Sequence, residues 1–297
     1  MMNDTIHILS FDIEEWFLFQ ERYGKDLNKY GKLDKPLKQI LELLDNRQMK
    51  GTFFCLGGMA KDFPELVKEI DKRGHEIGCH SNTHKWLNKM SYMEVKEDTR
   101  ISIDTLEQCI GKKIKSYRAP AFSIGSSNKW AFEILAENGI TNDASVFPVA
   151  RDFGGFPNFG YKTPVTIKSL GVEIREYPVC TTRVLGKELA YSGGGYFRFF
   201  PSWFVNNEIK KSKYVMTYFH IADLIPESNN LLTRKEYEAY FKEPGTFAAR
   251  YKRYVKSNLG KNKALQKLIN LICFNDFISI EQANNQIDWS KQPIVNI

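Results

Sequence analysis

The sequence predicts an α/β fold built on a parallel sheet that is closed or nearly closed. Its 297 residues, 42% of them hydrophobic, can bury a large core. Short apolar segments alternate with segments of helical periodicity as far as about residue 146, and repeated β-α units favour a parallel sheet. No internal repeat or long linker divides the chain. We therefore expect one domain over residues 1–297, with a core at about 6–223 and a helical extension at 224–297.

The elements predicted for the first half begin with a buried strand, Ile6 to Phe11, which is apolar and contains β-branched residues. Further strands are predicted at 51–56, 75–79, 116–122 and 141–146, and helices at 37–45, 64–73, 92–110 and 129–138. The carboxyl ends of parallel barrel strands share one face, where chemistry is expected.

The pattern changes after residue 151 to short β-like segments at 165–169 and 172–179, separated by Gly and Pro clusters. We expect this β-rich insertion to shape a substrate groove. The glycine triplet at 193–195 either brings backbone close to a ligand or forms a flexible loop. A helix is predicted at 201–211 and a last strand at 214–219. Tail helices are predicted at 234–242, 247–256 and 262–271, then a short apolar segment at 277–281 and about ten loose residues.

Composition narrows the classes of function. The net charge of +7 lies largely in the C-terminal third, where its spacing suits solvated helix faces better than a nucleic-acid site. Attraction to an anionic substrate or to a membrane-linked phosphate carrier is the alternative. Five single cysteines without a C-x-x-C pair suit a reducing compartment. Without a leader-like start or a long apolar segment, the expected location is cytoplasmic.

Two histidines, His80 and His84, are four residues apart where the third predicted strand becomes a loop. They can bind one metal ion, although two loop histidines satisfied by hydrogen bonds are an equal alternative. Catalytic zinc takes three protein ligands and keeps one position for water, so a third ligand is needed. Asp12 and Glu14 follow the first strand and share one side of an extended chain, so one carboxylate can bind the cation and the other can take a proton.

Three further polar residues follow predicted strands: Arg118, Asp143 and His220. Arg118 stands two residues before Pro120, which favours an extended Ala119 and an inward guanidinium that can hold Asp12. A surface arginine and a turn aspartate are the alternatives for Arg118 and Asp143. The remaining histidines, His7 and His75, are expected to be structural.

Taken in order, these motifs resemble those of the polysaccharide deacetylase family, the carbohydrate esterases that share the NodB homology domain. The first motif, Ser10 to Trp16, resembles the branch with an Asp-x-Glu pattern, since Ile13 replaces the family's second Asp. The second motif matches His80-Ser81-Asn82-Thr83-His84 in full, and the third matches Arg118-Ala119-Pro120. The resemblance covers about residues 6–223 and implies a deformed (β/α)7-type barrel with a β-rich insertion and a helical C-terminal extension.

The resemblance also implies roles for individual residues. Glu14, His80 and His84 would bind a divalent metal, most simply Zn²⁺, with Co²⁺, Ni²⁺ and Mn²⁺ as alternatives; Asp12 or Glu15 remains open as a metal carboxylate. Asp12, steered by Arg118, would be the base, and His220, oriented by Asp143, the acid. A backbone amide at or next to Ala121 would bind the oxyanion. Apart from the resemblance, five aromatic residues are candidates for ring-stacking substrate walls, with ordinary packing in the core as the alternative: Trp16, Phe17, Trp86, Phe122 and Tyr196.

The function implied is a metal-dependent hydrolase that removes an N-acetyl group from an N-acetylated sugar, an intermediate of cell-surface polysaccharide synthesis. Two alternatives remain open: a metal-dependent amidohydrolase for a non-sugar amide or cyclic ureide, and a catalytically silent glycan-binding module. The expected partner is the sugar or glycan substrate, without nucleic acid or a transmembrane segment; peripheral membrane contact stays possible. The sequence leaves the sugar, its linkage and carrier, and the oligomeric state undetermined.

Overall fold

The structure is a computed structural model that describes residues 5–20, 24–26, 30–151, 154–169, 171–226, 230–241 and 243–297. Within these ranges the strands are β1 Ile6–Ile8, β2 Ser10–Ile13, β3 Thr52–Cys55, β4 Glu76–Cys79, β5 Ser116–Tyr117, β6 Asn142–Asp143, β7 Val165–Ser169, β8 Val172–Glu176, β9 Thr181–Val184, β10 Lys187–Ala190, β11 Tyr214–Met216, β12 Phe219–His220 and β13 Ile294–Asn296. The α-helices are α1 Glu15–Leu18, α2 Gly31–Asn46, α3 Gly57–Asp62, α4 Pro64–Lys72, α5 Tyr92–Ile110, α6 Ala131–Glu137, α7 Gly194–Phe199, α8 Ser202–Lys211, α9 Arg234–Phe241, α10 Phe247–Asn258, α11 Ala264–Phe274 and α12 Ile280–Gln286.

A nine-stranded sheet organises the fold, in the order β12-β2-β3-β4-β5-β6-β8-β7-β13. Its neighbours pair in parallel except β7 and β8, which are antiparallel. Strand β1 pairs in parallel with β11, and this pair continues into the β2–β12 pair after a short interruption. The α/β prediction with a parallel sheet is therefore confirmed.

Strand β11 approaches the opposite side of the sheet at the segment that follows β8. Met216 N–H donates to Cys180 Sγ (2.9 Å), and the Tyr214 hydroxyl donates to the Pro178 carbonyl (2.9 Å). These bonds bring the β8 segment against β11. The sheet therefore curves into a nearly closed barrel whose strand ends share one face.

Capping residues and a proline set the ends of the helices in the first half of the chain. Helix α5 has the bounds that the sequence predicts: Ser91 and Glu94 form a capping box, and Gly111 ends the helix with φ of 71°. Pro64 occupies the first turn of α4, where its missing N–H costs nothing. The apolar faces of these helices cover a core that includes Phe11 and Phe53, whose rings stack at 4.9 Å.

The β-rich insertion is present, with β7 and β8 extending the main sheet and β9 and β10 forming a separate hairpin. Of the two interpretations of the glycine triplet, neither holds at Gly193. A Cβ built there would lie 2.0 Å from the carbonyl oxygen of Tyr218, so the close approach is to the chain itself. Gly194 then opens α7, and this helix replaces the expected loop.

The C-terminal region departs most from the prediction. The tail helices α9, α10 and α11 are present, although Lys242 at the predicted end of the first lies outside the described residues. The apolar segment at 277–281 instead leads into helix α12, which Ser279 and Gln282 start with a capping box. The residues expected to be loose form β13, which pairs with β7. No helix in the described ranges is long and apolar enough to cross a membrane.

Candidate metal centre and active site

Glu14, His80 and His84 meet in one cluster, with a possible ligand atom of each within 4.8 Å of the others. Glu14 Oε2 lies 3.2 Å from His80 Nε2 and 2.8 Å from His84 Nε2. Glu14 follows β2, while His80 follows β4, separated from β2 by β3 alone. The sheet therefore brings Glu14 beside His80, although the two residues are 66 positions apart in the sequence.

The loop that carries the histidines is held from several sides. Ser81 and His84 both adopt left-handed φ values, 68° and 60°, which turn the chain sharply enough for both rings to face Glu14. Asn82 N–H donates to Asp98 (2.9 Å), and the Ser81 carbonyl accepts from the Ser102 hydroxyl (2.7 Å), so α5 anchors the loop. The ligand positions are therefore set by the fold before any ion binds.

The donor chemistry of this cluster fits a divalent transition metal. His80 Nδ1 lies 2.7 Å from the Arg118 carbonyl oxygen, so Nδ1 donates and Nε2 is left as the metal-binding atom. Burial opposes ionisation of Glu14, but the nearby His84 and His220 outweigh it and hold the pKa of this carboxyl well below its ordinary value. Two imidazole nitrogens and one carboxylate are a ligand set that suits catalytic zinc.

Asp12 lies beside this cluster in a buried ion pair. Its Oδ1 accepts from Arg118 Nη1 at 2.7 Å, and both side chains are almost fully buried. Burial alone would raise the pKa of Asp12, but Arg118, followed by His80 and His220, lowers it below its ordinary value. Asp12 is therefore an ionised carboxylate with one oxygen committed to Arg118 and the other facing His220.

His220 completes the group from β12, which pairs with β2. Its Nε2 lies 3.6 Å from Asp12 Oδ2 and 3.8 Å from Glu14 Oε1. Burial disfavours the imidazolium, yet Glu14, Asp12 and Asp223 outweigh it and raise the pKa of His220 to about 9. The ring is therefore protonated at neutral pH and can act as an acid.

The prediction that Asp143 orients His220 is wrong. The acid facing His220 Nδ1 is Asp223, at 3.8 Å, on the 3₁₀ turn that follows β12. Arg198 Nη2 lies 3.4 Å from the other oxygen of Asp223 and holds that side chain in place. The sequence contains a signal for this pairing, since Asp223 stands three residues after His220.

Asp143 instead supports the strand end that carries Arg118. Its Oδ1 accepts from the Ser145 hydroxyl (2.7 Å), whose oxygen accepts from Ala119 N–H (2.8 Å). Glu176, whose Oε1 accepts from Val146 N–H (3.1 Å), is a second buried acid near Asp143. Burial, followed by the charge of Asp143, raises the pKa of Glu176 well above its ordinary value, so Glu176 holds the proton.

Ala121, the predicted oxyanion donor, has an unusual backbone. Its φ is 54°, as is that of Phe122, and neither is a glycine. Strained φ values of this kind cost on the order of 1–3 kcal/mol each and concentrate at functional sites.

The predicted aromatic walls divide into core and site residues. Trp16 is fully buried and donates its indole N–H to Asp34 (2.8 Å), and Phe122 is buried against Phe147 and Tyr218, so both predictions of a substrate wall are wrong. Tyr196 and Phe17 are only partly buried and pack against the core.

Trp86 does lie near the ligands, and it meets a residue that the sequence did not indicate. Its ring contacts Tyr240 of α9 edge-on, with centroids 6.2 Å apart. Tyr240 is 49% exposed and its phenol lies close enough to Glu14 to interact with that charge, so Tyr240 stands at the open edge of the site. Glu15 was a further candidate ligand, but it instead accepts from Ala222 N–H (2.8 Å), and burial followed by the charge of Glu14 raises its pKa to about 7.

Two family models match consecutive parts of the chain. Residues 30–142 match a model described as polysaccharide deacetylase, and residues 144–285 match a domain of unknown function, DUF3473. Asp12 and Glu14 precede both matches, the paired histidines lie in the first, and His220 and Asp223 lie in the second. The boundary falls beside β6, a strand within the nine-stranded sheet, so both regions share that sheet.

Curated relatives include a peptidoglycan-N-acetylglucosamine deacetylase from Bacillus cereus, 31% identical over 105 residues, which are 35% of this chain and 38% of that protein. A chitooligosaccharide deacetylase from Rhizobium leguminosarum is 33% identical over 85 residues, 27% of this chain and 40% of that protein. The chain thus spans about a third of the length of the curated relatives it matches.

A solved structure from Mycobacterium smegmatis, assigned as a polysaccharide deacetylase, has the same fold over the whole chain. The TM-score is 0.64 at 17% identity, covering 100% of this chain and 94% of that one. The matched family model and the carbohydrate deacetylases among the relatives thus identify a polysaccharide deacetylase region at residues 30–142, and the solved structure shows that the chain shares its fold.

Proposed function

We propose that this chain is a divalent-metal-dependent hydrolase that removes the acetyl group from an N-acetylated sugar. The observation that carries the proposal is the convergence of Glu14, His80 and His84, with Asp12 and His220 beside them. The relatives named as sugar N-deacetylases support the choice of an acetamide as the bond that is cleaved.

Glu14, His80 and His84 would hold the ion, for which Zn²⁺ is our proposal. A bound divalent ion supplies Lewis acidity, which polarises a carbonyl and lowers the pKa of water. Glu14 Oε2 lies 2.8 Å from His84 Nε2 and 3.2 Å from His80 Nε2, so the three atoms that would serve as ligands converge on one point.

Asp12 is the proposed base. Its Oδ2 is the oxygen not bound to Arg118, and it accepts the proton of the attacking water. Arg118 keeps Asp12 ionised and oriented, and Ser145 with Asp143 holds the strand end from which Arg118 extends. General base catalysis of this kind typically raises the reaction rate about 10²–10⁴-fold.

His220 is the proposed acid, which donates its Nε2 proton to the departing amine nitrogen. Its pKa of about 9 keeps that proton available at neutral pH. Asp223 Oδ2 lies 3.8 Å from Nδ1, and its charge favours the protonated ring. The Ala121 N–H would stabilise the oxyanion of the tetrahedral intermediate; loss of such a donor typically costs about 2.7–4 kcal/mol of barrier.

The substrate class that we propose is an N-acetylhexosamine in an intermediate of cell-surface polysaccharide synthesis, handled in the cytoplasm. Trp86 and Tyr240 offer ring faces and a phenol beside the metal ligands for contact with a sugar. All five cysteines are free thiols, which agrees with a reducing compartment.

The test is release of free amine from chitooligosaccharides and from a nucleotide-linked N-acetylglucosamine, with chelated protein and with protein reloaded with zinc or cobalt. We expect activity only after reloading. Asp12→Asn should lower kcat about 10²–10⁴-fold and keep the bound metal, whereas His80→Ala should lose both. His75→Gln, an imidazole outside the site, is the matched control and should keep both.

Activity that survives chelation together with His80→Ala would refute the metal proposal. Binding of chitooligosaccharide without amine release in metal-loaded protein would favour the silent glycan-binding module. Turnover of cyclic ureides but not of acetylated sugars would favour the non-sugar amidohydrolase.

A further inference from the structure

Helix α10 exposes apolar side chains in a regular pattern. Phe247, Tyr251, Val255 and Leu259 follow one another at intervals of four residues, and their exposed fractions are 64%, 51%, 42% and 48%. The Phe247 and Tyr251 rings stack with centroids 5.9 Å apart. We call these four residues the apolar ridge. Nothing in the described ranges buries it, because no residue of α10 is buried.

The side of α10 that faces the protein is polar instead. Arg250 Nη1 donates to the Leu232 carbonyl (2.9 Å), and the guanidinium of Arg253 lies 4.7 Å from the centre of the Phe241 ring. Arg198 donates to the carbonyls of Lys256 and Ser257 at the end of the helix. The amphipathicity of α10 is thus the reverse of that of a core-packed helix, which turns its apolar face inward.

The segment around the ridge also carries most of the net charge of the protein. Residues 232–263 contain nine Lys and Arg against three Glu, whereas the rest of the chain is close to neutral. The sequence-based expectation was that these charges lie on solvated helix faces. In the structure the same segment also exposes aromatic side chains. Lys252 and Lys256, both exposed, directly follow Tyr251 and Val255.

We propose that the apolar ridge docks on an anionic lipid surface. Interfacial helices combine Lys and Arg with exposed Phe, Tyr and Leu, bury the apolar side a few ångströms into the headgroup region and let the lysines reach phosphates. Apolar burial and attraction to anionic lipid act together in such helices. A second copy of the chain is the weaker occupant, because two faces with this excess of positive charge repel each other.

The apolar ridge is connected to the metal centre through a short series of side-chain contacts. From α10, Arg253 contacts Phe241 of α9, Phe241 contacts Trp86, and Trp86 lies two residues from His84. Docking would therefore bring the metal centre close to a lipid surface, where a sugar on a lipid phosphate carrier is presented. This consequence, unlike the docking itself, rests on the proposed function.

The test is flotation of the whole protein with vesicles of phosphatidylcholine alone and of phosphatidylcholine mixed with phosphatidylglycerol. We expect binding to the mixed vesicles that weakens with added salt, and much weaker binding to the neutral ones. Phe247→Ser with Tyr251→Ser should weaken binding at least about tenfold. Lys252→Gln with Lys256→Gln should weaken it roughly twentyfold and reduce the salt dependence.

Leu185→Ser is the matched control, because Leu185 is 99% exposed at the β9–β10 turn, away from the ridge, and its loss should leave vesicle binding unchanged. Circular dichroism of each variant checks folding, and Val255→Ser alone serves if the double variant fails to fold. The proposal is overturned if mixed vesicles do not bind the protein, or if the ridge variants bind as the wild type does. A wild-type dimer in sedimentation that Tyr251→Ser converts to a monomer would also overturn it in favour of a second copy. None of these readouts uses amine release, so they stand or fall separately from the proposed activity.

Discussion

Replacement of Arg118 by Met tests the buried ion pair that holds the proposed base. The substitution keeps much of the aliphatic volume but removes the charge 2.7 Å from Asp12, the hydrogen bond to the Ala144 carbonyl (3.2 Å) and the stacking over Phe54 (4.2 Å). Asp12 is then left buried without its cationic partner. We expect both stability and the orientation of the carboxylate to suffer.

The expected loss follows from the geometry. Two unit charges about 4 Å apart attract by about 4 kcal/mol at an effective dielectric constant of 20. Breaking a buried pair by removing one partner costs about 3–5 kcal/mol, because the remaining charge stays desolvated. We therefore expect Arg118→Met to lower the free energy of unfolding by about 3–5 kcal/mol. Each kcal/mol corresponds to roughly 2–4 °C in Tm for a domain approaching this size.

Chemical denaturation of four proteins provides the assay: wild type, Arg118→Met, Asp12→Asn and the double variant. The double variant should be less destabilised than the sum of the two single variants, because it no longer buries an unpaired carboxylate. Arg47→Met is the matched control, since Arg47 pairs with Asp276 at 2.9 Å on the surface, and it should cost less than about 1 kcal/mol. The reasoning is refuted if Arg118→Met costs no more than Arg47→Met, or if the two single losses are additive.

Three further predictions concern single residues elsewhere in the fold or behind the site. Burial, followed by the charge of Lys50, lowers the pKa of His75 to about 4. Because the unfolded chain binds this proton more readily, the free energy of unfolding should fall by up to about 3 kcal/mol as the pH drops from about 6.5 to about 4. In urea titrations at several pH values, His75→Gln should remove this pH dependence. Ser145→Ala leaves Ala119 N–H without its acceptor and should cost about 1–3 kcal/mol of unfolding free energy, with a lower kcat in the amine-release assay. Gly193→Ala places a Cβ against the Tyr218 carbonyl and should lower stability by about 1–3 kcal/mol or more in thermal unfolding.

Each of these predictions has an outcome that contradicts it. An unchanged acid slope in His75→Gln would show that other groups cause it. A Ser145→Ala variant with wild-type stability and kcat would remove Asp143 from the support of Arg118. For the glycine, Gly31→Ala is the control, because a Cβ there meets no atom within 4 Å; equal effects of the two substitutions would discount the close approach at Gly193.

The sequence predicted the strand ends well because parallel β-α units place every carboxyl end at one face. Glu14, His80, His84, Arg118 and His220 all follow or end strands, and the structure brings them together. The predicted strands were too long, as with 141–146 against Asn142–Asp143, because strand pairing in a curved barrel ends sooner than the apolar pattern.

Asp143 was assigned the wrong role because two acids were candidates for orienting His220. Asp143 and Asp223 both lie close to strand ends, and only the turn after β12 decides which one faces His220. Trp16 was misjudged for a similar reason, since the position of Asp34 on α2 gives its indole N–H a buried partner. The Trp16–Asp34 pairing joins residues 18 positions apart and leaves no trace in the local pattern.

The C-terminal residues also bond to strands formed from the beginning of the chain. Ile278 bridges to Ile8, Ile280 N–H donates to the Thr52 hydroxyl (2.8 Å), and Glu281 N–H donates to Glu76 (2.8 Å). During synthesis the early strands therefore lack these hydrogen-bond partners until residues more than two hundred positions later have been made. Contacts so distant in sequence slow folding, so a ribosome-bound nascent chain should stay vulnerable to protease until this last segment emerges.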